Sequence, residues 1–162
     1  MLRRTTTSRV TSVRSLQALI DLVDLRWEQA QARFGLPEDA IDFGFSVGDD
    51  YPHFKKERGY AVCFWHGGNK CRLLFSTKMI RAPRHRSDAI IRHELGHVFD
   101  FVLNDEWLSD FCHANGVDMP STDERKADAL AEAIWGDPIL YDHEEVQSLK
   151  NGVAPRPAYL GL

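Results

Sequence analysis

Residues 90–102, IIRHELGHVFDFV, read as a helix with two opposed faces. At about 100° of rotation per residue, Ile91, Leu95, Val98, Phe99 and Val102 gather on one side, while His93, Glu94, His97 and Asp100 gather towards the other. His93 and His97 lie about 40° apart, so both imidazoles project in the same direction. A chain carrying such a helix must supply an apolar layer for the first face and a chemical partner for the second. Gly96 sits between the two histidines, where glycine costs about 1 kcal/mol against alanine, and this points to close approach of another backbone.

The pentad His93-Glu94-Leu95-Gly96-His97 is an HExxH pattern in a helical context. Two neutral imidazoles at this spacing can hold one Zn²⁺. Glu94 lies too far round the helix to join them and can instead reach a metal-bound water, whose pKa zinc lowers towards ~7, as general base. A catalytic zinc needs a third protein ligand. Residues 98–103, VFDFVL, lack the Gly and His of the metzincin continuation. Two candidates stay open. Glu124 lies within the apolar stripe Ala127, Leu130, Ala131, Ile134 and Trp135 of a helix starting near Thr122, and Asp128 lies on the edge of that stripe. Zinc for Glu124, and an imidazole N–H of His93 or His97 for Asp128, would give both carboxylates partners. A capping box over Ser121–Glu124 accounts for Glu124 without a metal but leaves Asp128 unexplained. The rival ligand is His113, at a predicted helix end. Asp100 reads as a supporting or solvated residue.

HELGH followed by Glu124-Arg125-Lys126-Ala127-Asp128 resembles the gluzincin arrangement of HExxH plus ExxxD, and within it the ImmA/IrrE-type metallopeptidases; the resemblance covers about residues 40–136. It departs from that pattern at Leu130, where Phe is usual, and no helix-turn-helix domain is expected within these residues. The resemblance implies a single-zinc peptidase with His93, His97 and Glu124 as ligands and Glu94 as base. It also implies a DNA-binding transcriptional repressor as the protein substrate. SprT-type proteases are the competing resemblance if His113 is the ligand.

The rest of the chain frames that site. Leu16, Leu19, Ile20, Val23, Trp27, Ala30 and Phe34 form one helical stripe that Gly35 and Pro37 end. The runs 41–47, 59–66 and 71–80 read as strands, the last two as a hairpin through Gly67-Gly68-Asn69. Helices are expected over 87–103, 106–115 and 122–135. The predicted fold is α+β: a minimal zincin-like domain over 15–136, with an N-terminal helix on a small, mostly antiparallel sheet, then the HExxH helix and further helices. The strand within 71–80 is expected to be a sheet edge that pairs with an extended peptide substrate. Residues 1–14 read as a disordered basic tail. Residues 137–162 read as an extension with a short helix, in which Tyr141 and His143 are candidate oxyanion donors.

With 20 Lys and Arg against 24 Asp and Glu, the 162-residue chain carries a net charge of -4, so direct nucleic-acid binding is not expected. No apolar run approaches a membrane span, and three cysteines without a CxxC place the protein in a reducing, cytoplasmic setting. Arg81, Arg84, His85 and Arg86 read as a solvated loop. A second metal site from Cys63, His66 and Cys71, completed by Cys112 or His113, is the weaker use of those residues, since a strand cysteine behaves as a small core residue. The alternative to an enzyme is a regulatory or binding protein stapled by zinc. Four protein ligands would mark the staple, and three plus water the enzyme.

Overall fold

The computed structural model describes residues 15–52, 54 and 59–139. The tail 1–14 and the extension from 140 onwards, including Tyr141 and His143, lie outside the described residues. Five helices and three strands are described: α1 (Leu16–Phe34), β1 (Asp42–Val47), β2 (Ala61–Trp65), β3 (Lys70–Phe75), α2 (Lys78–Arg81), α3 (Arg84–Val102), α4 (Asp105–Ala114) and α5 (Asp123–Trp135). This is the α+β arrangement expected, with a helix ahead of a small sheet.

Local chemistry sets the bounds of α1. The Ser15 side chain accepts from the Ala18 N–H, satisfying one unpaired donor of the first turn. At the other end Gly35 takes φ 65°, a left-handed conformation that glycine adopts without steric cost, and the Gly35 and Leu36 N–H groups close back onto Ala32 and Gln31. Leu19, Leu22, Val23, Ala30 and Phe34 are buried, but Leu16, at the head of the stripe, is half exposed. Trp27 lies between the sheet and the histidine helix. Its ring stacks on Phe43 at 4.1 Å and on Phe99 at 5.4 Å, so one side chain joins α1, β1 and α3.

β2 and β3 form the antiparallel hairpin, with Gly67 and Gly68 both at positive φ in its turn. β1 then joins β3 from the other side, in parallel register, giving the order β1-β3-β2. This corrects the expected edge: β3 is central, and the edges are β1 and β2. The strand count leaves this undecided, because the sheet order depends on where the 48–60 connection carries the chain. The third run also stops earlier than its apolar pattern implies. Ser76 and the Thr77 N–H and hydroxyl all donate to the Asp49 carboxylate, which turns the chain out of the strand and into α2.

One face of the sheet, including Cys71, Leu73, Phe75 and Ala61, is buried in a single core with Leu19, Met79, Ile90, Ile91, Leu95, Phe99, Leu108 and Leu130. Helix α3 runs through this core and packs most extensively on α5, and against the sheet most extensively on β2. It begins at Arg84, so Arg84, His85 and Arg86 form its first turn rather than a loop; Ser87 holds this turn by donating to the Met79 carbonyl at 2.8 Å. Among the described residues no helix is long and apolar enough to cross a membrane.

Candidate metal centre

The polar face of α3 does not look into solvent. Every residue from Ala89 to Phe99 is buried, because α5 lies across the histidine side. Gly96 makes this possible: a Cβ there would stand 2.3 Å from the Ala127 carbonyl oxygen, so only glycine lets the two backbones come this close. Ala127 lies between Glu124 and Asp128, so the same contact brings both carboxylates to the imidazoles.

His93 is fully buried and held at both ring nitrogens. Its Nδ1 lies 2.7 Å from Asp128 Oδ1, and its Nε2 lies 3.1 Å from Glu124 Oε2. His97 Nε2 lies 3.4 Å from the other Glu124 oxygen. One ligand atom from each of His93, His97 and Glu124 falls within 4.8 Å of the others. Two imidazole nitrogens and a carboxylate form a zinc donor set, and a tetrahedral ion with bonds of ~2.0–2.1 Å separates its ligands by about 3.3 Å, close to the spacing found. Asp128 fixes the His93 ring so that Nε2 faces Glu124, the support commonly given to metal-ligating histidines. Two buried polar atoms of this cluster, Glu94 Oε1 and His97 Nδ1, have no hydrogen-bond partner in the protein. The residues therefore fit a divalent cation.

The electrostatics agree with that fit. Burial raises the Glu94 pKa to about 7, against the pull of His97 and His93. Burial also works to raise Glu124, but hydrogen bonds to His93 and His97 overcome it and hold the group at about 2. For His93, burial disfavours the charged ring, yet Asp128 and Glu124 outweigh it and raise the pKa to about 10. Without a metal, a proton on His93 provides the positive charge that these carboxylates require.

The capping box at Ser121–Glu124 does not form. Thr122 is the N-cap, it makes no side-chain cap bond, and the Glu124 carboxylate turns to the histidines instead. His113 stays apart from this group: its side chain is 87% exposed, and its contact is Asp118 at 3.9 Å. The ligand that a SprT-like reading needs is thus on the surface. Asp100 lies half-buried near Lys126 and Asp123, with its pKa raised mainly by burial. Among the described residues no second group of three metal-binding side chains converges. Cys63 and Cys71 are diagonal neighbours on one face of β2 and β3, both as free thiols, and Cys112 is buried in α4.

Two aromatic residues escaped the sequence reading. Phe101 stacks on the His97 ring at 5.5 Å, and Trp65, at the end of β2, stacks on Phe101 at 6.3 Å. The four-residue step from His97 to Phe101 is a signal that could have found the first; only the sheet order reveals the second.

No protein-family model matches this chain, and neither a curated protein nor a solved structure matches it. The chemistry of the site must carry the functional argument.

Proposed function

We propose that this protein is a zinc-dependent peptidase acting on a protein substrate in the cytoplasm. The observation that carries the reading is the convergence of His93, His97 and Glu124 beside Glu94, a buried carboxylate with an unpartnered oxygen. Zinc held by these three side chains would supply a Lewis acid that acidifies water and polarises a scissile carbonyl. Glu94 takes the proton from the attacking water on its carboxylate and passes it to the leaving amine. Glu94 is fully buried beside the two imidazoles, and its unpartnered Oε1 leaves it an oxygen with which to accept that proton. Asp128 keeps the His93 ring oriented and does not touch the substrate.

An extended substrate would pair with β2 along the edge that carries no further strand among the described residues, the edge strand packed against α3. Three free thiols are consistent with a reducing compartment. The likeness of HELGH and ExxAD to ImmA/IrrE-type metallopeptidases favours a DNA-binding repressor as the protein cleaved.

The test uses zinc-loaded wild type and Glu94→Gln against a mixture of quenched-fluorescent peptides. Cleavage should fall by about 10²–10⁴-fold in the variant while one zinc per chain is retained. Equal cleavage by both proteins would remove Glu94 from the reaction. Zinc binding without cleavage by wild type would return the protein to the stapled, non-enzymatic class.

A further inference from the structure

We infer that Trp65 and Phe101 form the wall of a substrate subsite that selects a large apolar side chain close to the scissile bond. The inference rests on the peptidase reading and adds to it a class of substrate. The stack starts at a candidate metal ligand, His97, and continues through Phe101 to Trp65, in steps of 5.5 and 6.3 Å with near-parallel rings. An extended strand advances about 3.3 Å per residue, so the two steps span no more than about four residues of a bound peptide. Trp65 is 52% exposed, so a ligand can reach it.

That indole is also fixed in place. Its Nε1–H donates to the Gly68 carbonyl at 3.1 Å, across the hairpin turn. With its single donor already engaged, Trp65 can offer a ligand only its ring face and edge, and Phe101 adds no polar group. The two rings themselves give a polar side chain nothing to bond, whereas a Phe, Tyr, Leu or Met side chain can cover the stack and exclude water. Trp65 is the last residue of β2 and shares the sheet face of Cys63 and Ala61. A peptide along the outer edge of β2, which carries no further strand among the described residues, would bring every second side chain to this face.

Alanine tripeptides capped at either end by a hydroxamate, with each position in turn changed to Phe or Lys, test the inference independently of turnover. Titration calorimetry with zinc-loaded wild type should show one position at which Phe binds about tenfold tighter than Ala. Trp65→Ala should reduce that advantage to less than about twofold with one zinc per chain retained, and Trp65→Phe should keep most of it. No preference for Phe, a greater preference for Lys, or an unchanged preference in Trp65→Ala overturns the subsite while leaving the peptidase reading intact. Tight Phe-dependent binding in a protein that cleaves nothing breaks the peptidase reading alone. Failure to take up zinc overturns both.

Discussion

Helix α3 carries two polar clusters little more than one turn apart, and they are built on opposite principles. At Asp88 the charges close on themselves. Arg26 makes two bonds to the carboxylate, at 2.7 and 2.8 Å, and Arg92 Nε lies 3.2 Å from it without the alignment of a hydrogen bond. Arg92 also donates to the Asp137 carbonyl at 3.2 Å. Two guanidiniums here meet one carboxylate, and the cluster ties α1, α3 and the residues after α5 together. One turn on, three carboxylates, Glu94, Glu124 and Asp128, meet two imidazoles that are neutral in their ordinary form. The first arrangement has positive charge in excess at one shared carboxylate and holds helices in place. The second is short of positive charge and must take up protons or a cation, and this difference separates a structural polar cluster from a candidate metal site within one helix.

The largest expected effect lies at the electron-rich cluster. Glu124→Ala should weaken zinc binding by more than the ~10–100-fold typical of losing a supporting partner, whereas His113→Ala should leave it unchanged. Zinc stoichiometry by atomic emission, with competition against a chelator, measures both. The reverse result would move the third ligand to His113 and end the contrast between the clusters.

Asp88→Asn should act on stability and not on metal. It leaves the Arg92 guanidinium, 8% exposed, without its counter-charge, at a cost of about 3 kcal/mol in chemical denaturation. Zinc affinity should stay within about twofold of wild type. Loss of zinc in this variant would show that the clusters work as one unit.

A further expected effect is a pH dependence peculiar to the metal-free protein. His93 is raised to about 10, so its contribution is fully present below its unfolded value of 6.5 and is lost as pH rises through 10. Glu94, raised to about 7, also makes the folded state lose stability as pH rises from 4.5 through 7. Glu124, lowered to about 2, contributes stability above 4.5 that is lost as pH falls through 2. Chelator-treated protein should therefore be most stable near about pH 5, and zinc should shift that maximum upward by holding the imidazoles deprotonated. Thermal melts across pH 4–9, with and without zinc, measure the shift. A maximum that ignores zinc would mean that metal and protons do not compete for this site.

Much of this was open to a reader of the chain alone. The 3.6-residue period of α1, its Gly35 stop and the hairpin glycines are local signals, and the described elements follow them. Gly96 announced a close backbone approach because a glycine within a helix is unfavourable without one, and Ala127 supplies the approach. The inward position of Asp128 on α5 was legible from the angular pattern, and it proved to hold His93. The sheet order was not legible, because β1 and β2 have similar apolar patterns and nothing local says which strand lies between the others. The burial of the histidine face was likewise hidden, since a polar helix face reads the same whether water or a second polar helix face covers it.

The sequence by itself determined which side chains share a helix face, because rotation per residue is fixed by backbone geometry. It thereby paired His93 with His97 and kept Glu124 in step with Asp128. Only the tertiary structure decided that α5 closes over α3, that β2 borders the site, and that Trp65 and Phe101 lead away from it. Those outcomes depend on packing between segments far apart in the chain, where contact is set by the shape and volume of whole surfaces rather than by any local period.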